Sequence, residues 1–182
     1  MGRRGLTRAE IVDATWGLAA ERGLPAVTMR AVAERLGVTP MALYRHVGDK
    51  RGLLDGLVER LLGAIPTPDP ALPWRERLTA LAAGIRALAR AHPDLFPLLF
   101  QRPAVTPAAR VPRDAAHAAL REAGLPEEEA VRAERLLSTF VLGFAASEAA
   151  GRFDHLDADE EFAYAADAIE RILTTRRDRP RS

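Results

Sequence analysis

Residues 28–50 read TMRAVAERLGVTPMALYRHVGDK, and the fold turns on how this stretch divides. Met29, Val32, Ala33 and Leu36 recur at helical spacing, which predicts a short helix with one buried face. Gly37 ends it, because glycine takes a left-handed conformation without steric cost. Val38 turns back toward the core. Thr39 offers a side-chain oxygen as N-cap, and Pro40 suits the first position of a second helix, where its missing N–H would be unpaired anyway. That helix runs to about Val47, with Leu43 and Val47 facing inward. Helix, glycine turn and short helix together make a helix-turn-helix unit.

The outward residues of the second helix carry the chemistry. Thr39, Pro40, Met41 and Ala42 show at its start; Tyr44, Arg45 and His46 show at its end. A helix entering a major groove reads bases from its first turns and contacts phosphate from its flanks. Met41 and Ala42 suit a thymine methyl, Tyr44 suits a phosphate oxygen, and Arg45 suits guanine or phosphate. Thr28 and Arg30 open the preceding helix, where free N–H groups and the helix dipole favour an anion. A solvated helical hairpin would use the same polar and basic residues, so the turn alone does not decide the matter.

Composition narrows the classes. The chain has 182 residues, enough for one domain or for a small domain and a larger one, and 48% are hydrophobic. There is no cysteine, hence no disulfide frame, thiolate metal site or cysteine nucleophile. Histidines 46, 92, 117 and 155 lack metal-ligand spacing, so no metal and no cofactor are expected. No signal peptide opens the sequence and no apolar run is long enough to span a bilayer. A cytoplasmic protein without a membrane partner is expected. The net charge is only +1, but its distribution is uneven. Residues 1–65 hold ten Lys/Arg against seven Asp/Glu, and the remainder sixteen against eighteen. Lys50 is the sole lysine among 26 basic residues, and it follows the second helix, where an ammonium can reach a phosphate.

Working outward, residues 1–5 form a short basic arm, MGRRG. Thr7 and Glu10 predict a capping box, followed by a helix with Ile11, Val12, Ala14, Trp16, Leu18 and Ala19 on a broad apolar face. Asp49 is placed to cap a fourth helix reaching Ile65, apolar on more than one side. The PTPDPALP run at 66–73 then breaks helical structure and marks a domain boundary. A fifth helix is expected from about Trp74 to His92. Residues 101–112, with three prolines, are expected to be loose, and a seventh helix to begin near Arg113. Pro126 opens an eighth helix, and Asp157 with Glu160 caps a ninth. No strand pattern appears, so the expected fold is all-α. An N-terminal three-helix unit (1–65) is joined by the fourth helix to a C-terminal helical domain (66–182).

LTRAEIVDAT, ERGLPAVTMRAVAERLGVTPMALYRHV and GDKRGLLDGLVERL resemble the DNA-binding domain of the TetR family of bacterial transcriptional regulators. The run Leu43-Tyr44-Arg45-His46-Val47 with Lys50 is similar to the tetracycline-responsive members. The resemblance implies operator contacts at Thr28, Arg30, Thr39, Pro40, Met41, Ala42, Tyr44, Arg45, His46 and Lys50. It also implies a homodimer formed by the last two long helices. There Gly143, Ser147 and Gly151 lie four apart beside the stripe of Phe140 and Phe144, and the ninth helix brings an apolar stripe with Phe162, Ile169 and Leu173. Pairing has its own DNA argument, since two short helices on a dyad read a palindrome that one cannot. A small-molecule effector is implied in the C-terminal half, with Trp74, Leu81, Ile85, Arg86, Phe96, Phe100, His117, Phe140 and Phe144 as candidate lining. His92, Gln101, Ser138 and Glu148 are further polar candidates. Where the tetracycline-responsive members place a drug–metal histidine near the end of the fourth helix, this chain has Pro66, so a metal–tetracycline effector is not expected.

The expected function is thus a ligand-responsive repressor released from a palindromic operator by a small apolar molecule. An effector-independent regulator is the alternative. An enzyme is remote, since no phosphate loop, nucleophile elbow or acid–base pair appears.

Overall fold

The computed structural model describes residues 5–177, with side chains as far as residue 171. The first four residues of the basic arm, Ile172, Leu173 and the charged tail therefore lie outside what is described below. Nine α-helices and one 3-10 turn appear among the described residues, and no strand. They are α1 (Arg8–Arg22), α2 (Met29–Leu36), α3 (Pro40–Val47), α4 (Lys50–Gly63), α5 (Trp74–Ala91), α6 (Leu98–Gln101), α7 (Pro107–Glu122), α8 (Glu127–Ala149) and α9 (Ala158–Arg177). None of them is long and apolar enough to cross a membrane. The backbone packs as two compact units, Met1–Ala64 with Asp94–Arg110, and Ile65–Pro93 with Val111–Ser182.

The first unit is built by its caps. Thr7 and Glu10 form the capping box, with Glu10 N–H donating to Thr7 Oγ1 (3.2 Å) and Thr7 N–H donating to Glu10 Oε2 (2.8 Å). Helix α1 buries Ile11, Val12, Ala14, Leu18 and Ala19 against α2 and α4. Gly37 takes φ +64° and stops α2, and the Val38 N–H returns to the Ala33 carbonyl. Leu43 is the one fully buried residue of α3. Asp49 caps α4 by accepting from the N–H groups of Arg51 (2.7 Å) and Gly52 (3.2 Å). Helix α4 needs small residues to fit: a Cβ on Gly52 would meet the Val47 carbonyl, and one on Gly56 would meet Val12. Leu95, Phe96 and Leu98 are buried in this unit. Arg102 closes the segment onto α4 with two bonds to Asp55 (2.9 and 2.6 Å) and one to the Arg51 carbonyl.

Two sequence expectations need correction. Residues 107–112 are helical rather than loose, so α7 begins at Pro107. Thr106 Oγ1 accepts from the Ala109 N–H, and Pro107 sits at the first helical position where proline fits. Pro112 is carried inside that helix, although it removes one backbone bond there. Thr39, second, stands at the N-cap of α3 but its side chain makes no capping bond. Only its carbonyl engages, accepting from the Ala42 N–H at 3.0 Å. The donors such a hydroxyl would accept from are the N–H groups of Met41 and Ala42, and the second of these is taken by the Thr39 carbonyl.

The second unit centres on α5 packed against α8. A cluster of Leu120, Ala123, Leu125, Ala130 and Ala133 is covered by Trp74, Leu78 and Leu137. Glu127, Glu128 and Glu129 fill the first turn of α8, favourable at the positive end of its dipole. Asp157 starts α9, its Oδ1 accepting from the N–H groups of Asp159 and Glu160. Gly151 lies beyond the end of α8 at φ +74°, with Arg152 N–H bonded to the Ser147 carbonyl. Only Gly143 and Ser147 of the small-residue strip therefore sit on the helix itself.

Candidate nucleic-acid interface

Helix α3 presents its outward side chains to solvent. Met41 is 67% exposed and Tyr44 47%, large values for side chains with so much apolar surface to bury. Thr39, Pro40, Arg45 and His46 are exposed, and Ala42 is half-buried beside Leu43. Thr28 accepts from the Ala31 N–H (3.1 Å), which caps α2 and leaves its hydroxyl proton free to donate outward. Because Thr39 makes no capping bond, its hydroxyl is also free for an outside partner.

Charge pairing distinguishes this face from most of the unit, where Arg22 and Arg110 are the other arginines without an ion pair among the described residues. Arg8 pairs with Glu59, Arg35 with Glu21, Arg60 with Asp13 and Arg102 with Asp55. Arg35 holds Glu21 from two nitrogens and lies over Gly17, where a Cβ would come within 2.8 Å of the guanidinium. Its hydrogen bonds hold the Glu21 carboxyl below its usual pKa. By contrast Arg30, Arg45, His46 and Lys50 have no ion-pair partner among the described residues, and neither does the side chain of Arg51. Arg51 escapes the sequence reading because it looks like one more surface arginine; only the pairing of its neighbours singles it out.

In the second unit the candidate effector residues scatter. Trp74 belongs to the cluster around Leu120, while Leu81 is buried and Ile85 half-buried on α5. His117 Nε2 lies 3.2 Å from Glu127 Oε1, and Arg121 Nε 3.3 Å from the other oxygen. Phe96 and Phe100 fall in the first unit, edge to face at 6.0 Å, one buried and the other 54% exposed. Arg86, Phe140 and Phe144 do come together, and Phe162 of α9 joins them. Phe162 stacks on Phe140 (5.6 Å) and meets Phe144 edge-on, while Phe153 stacks on Phe144 (4.7 Å).

The Arg86 guanidinium lies 4.7 Å from the Phe162 ring centre and 5.4 Å from that of Phe144. Its Nε and Nη2 each donate to Glu148 at 2.8 Å, and Nη2 also lies 2.7 Å from Asp159. Arg90 reaches the same Glu148 carboxylate. Hydrogen bonding to Glu148 raises the Arg86 pKa against the opposing effect of burial. The same bonds, with Arg90, hold the Glu148 carboxyl below its usual value. A guanidinium so occupied has little left for an outside ligand.

The candidate pairing surface on α8 and α9 is incompletely covered. Gly143, Ser147, Phe162 and Ile169 are half-buried, and Leu136 and Tyr164 are exposed at 45% and 73%.

Comparison with known proteins covers both halves of the chain. The profile of bacterial regulatory proteins of the tetR family matches residues 11–57, and that of the tetracyclin repressor-like C-terminal domain matches residues 67–177. The resemblance seen in the first sixty-odd residues therefore extends through the second half. The HTH-type transcriptional repressor DrrR1 of Streptomyces coeruleorubidus is 35% identical over 147 residues, which are 79% of this chain and 54% of that protein. The chain thus spans about half the length of that relative. Among solved structures, Streptomyces coelicolor ActR in complex with actinorhodin superposes with a TM-score of 0.84 at 27% identity, over 97% of this chain and all of the other. BioQ crystallised with its double-stranded DNA operator superposes at 0.74 and 25%, over 93% and 99%. Its relatives are named as regulators and repressors, not as enzymes. With a helix-turn-helix at one end and the matching C-terminal domain at the other, the chain belongs to the TetR family of bacterial transcriptional regulators.

Proposed function

We propose that this chain is a homodimeric, sequence-specific DNA-binding regulator, a repressor released from a palindromic operator by a small apolar effector. The observation that carries the reading is the bare face of α3. Met41 and Tyr44 stand out of the protein there, and Arg30, Arg45, His46, Lys50 and Arg51 gather around them without a carboxylate partner among the described residues, whereas Arg8, Arg35, Arg60 and Arg102 are paired. In this reading Thr39, Pro40, Met41, Ala42 and Arg45 read base edges, and Thr28, Arg30, Tyr44, His46, Lys50 and Arg51 hold phosphates. The half-covered faces of α8 and α9 support pairing with a second copy. The ligand complex of ActR, a chain of the same fold, supports the effector. Residues 1–65 and 66–182 then divide the labour between reading and response, and the protein works in the cytoplasm, where bacterial DNA lies.

The test uses a labelled duplex carrying an inverted repeat from the DNA flanking this gene. Parent protein should bind it in preference to random duplex, with affinity falling steeply with salt. Binding unchanged in a folded Tyr44→Ala/Arg45→Ala chain would overturn the assignment of α3. A panel of apolar metabolites should contain compounds that raise the melting temperature and weaken the DNA complex together. A panel in which ligands stabilise the chain without touching its DNA affinity would overturn the effector mechanism.

A further inference from the structure

Helix α9 meets α5 through two ion pairs set at matching intervals. Arg86 reaches Asp159 near the start of α9, and Arg75 reaches Glu170 further along. The two arginines are eleven residues apart on α5, and the two carboxylates eleven apart on α9 in the opposite order. At ~1.5 Å per residue each interval is about 16 Å, so the pairs lock antiparallel helices in one register. A slide of α9 by one turn would break both. The first tie is also the stiffer one. Arg86 is only 8% exposed and its planar fork is already clamped by Glu148, so the donor it turns to Asp159 is held in place. Meanwhile Ala165, Ala166 and Ile169 of α9 are half-buried and Tyr164 is exposed, so α9 keeps apolar surface that its own chain leaves uncovered.

We infer that Arg75 and Arg86 are positioning residues that fix the register of α9 for pairing with a second copy of this chain; the inference rests on the homodimer proposed above. In a symmetric dimer the same patch meets itself, so any shift of α9 is made twice. Pairing is also what supplies two α3 helices for successive major grooves about 34 Å apart. Arg86 thereby serves assembly rather than effector recognition.

Two double variants of the full chain separate register from charge. Asp159→Asn with Glu170→Gln removes both ties; Glu160→Gln with Glu161→Gln removes two carboxylates from the same helix and neither tie. Sedimentation should show the dimer dissociation constant rising about tenfold in the first and less than twofold in the second. Helix content should match the parent in both. Affinity for a palindromic duplex should fall in the first, while affinity for a single half-site stays put. A folded first variant that dimerises like the parent overturns the inference, as does an equal loss in the two. If the first variant fails to fold, the swap Arg75→Glu with Glu170→Arg decides. It restores one pair with reversed polarity and should dimerise like the parent, and a folded but monomeric swap overturns the register. A parent chain that sediments as a monomer removes the homodimer itself, and the register with it.

Discussion

Arginines serve opposite ends in two regions of this molecule. Around α3, Arg30, Arg45 and Arg51 are exposed and form no ion pair among the described residues, and the same holds for Lys50. Between α5, α8 and α9, Arg86 is buried and bonded to Glu148 and Asp159, with aromatic rings against it. An exposed cation keeps its hydration and needs no partner; a buried one is tolerable only when paired and hydrogen-bonded. The difference teaches where to look for an outside ligand. Cations that the fold has paired are structural, whereas a cluster left bare beside exposed apolar side chains is available to a polyanion.

The largest way to break the contrast is to strip the bare face. Tyr44→Ala with Arg45→Ala should weaken binding to the operator about a hundredfold while the melting temperature holds, since each lost contact is worth roughly 1–3 kcal/mol. Anisotropy titration beside a thermal melt checks both halves. The paired region should respond in the reverse sense. Glu148→Gln leaves Arg86 short of its main partner and should cost about 2 kcal/mol of stability at neutral pH. The pH dependence has a definite sign. The carboxyl of Glu148 is held below its unfolded value by Arg86 and then Arg90, so its stabilisation is complete above that unfolded value. It is lost as pH falls through the lower folded value. Melts from pH 7 downward should fall less steeply through the carboxylate range in Glu148→Gln than in the parent. Parallel curves would remove Glu148 from the account of acid sensitivity.

A smaller effect separates two threonines that look alike in sequence. Thr28 and Thr39 both precede helices and both read as N-caps, yet only Thr28 makes the bond, to Ala31. Thr28→Val should lose about 1 kcal/mol of stability. Thr39→Val should lose none and should weaken DNA binding alone. Chemical denaturation of the two chains sorts them, and equal destabilisation would show that Thr39 caps α3 after all.

Those threonines show where sequence stops being legible. Caps backed by a second signal, such as Thr7 with Glu10 or Asp157 with Glu160, form as expected, and Gly37 ends α2 as its lack of a Cβ allows. Periodicity placed the apolar faces because burial acts on every turn of a helix. The start of α7 was hidden because proline reads as a breaker, although Pro107 fits a first turn and Pro112 is held within the helix. Long-range pairing was the least readable feature. The sequence offers Arg86 as a candidate pocket residue, and nothing in it shows that Glu148 and Asp159, dozens of positions away, converge on that side chain. The tie of Arg102 to Asp55 was equally invisible, and it brings residues 94–110 into the compact unit that carries α3.

The finest test compares neighbours on α4. The sequence nominates Lys50 as a phosphate contact; Arg51 comes forward only through its lack of an ion-pair partner among the described residues. If both hold phosphate, Lys50→Ala and Arg51→Ala should each weaken binding several-fold, uniformly across operator sequences, and each should reduce the slope of log affinity against log salt by about 1. Base discrimination should not change, because neither side chain reads a base edge in this assignment. A Lys50 slope that drops while the Arg51 slope matches the parent would confine the bare face to α3 and the first residue of α4. A change in base preference on removing Arg51 would instead move it from the backbone into the groove.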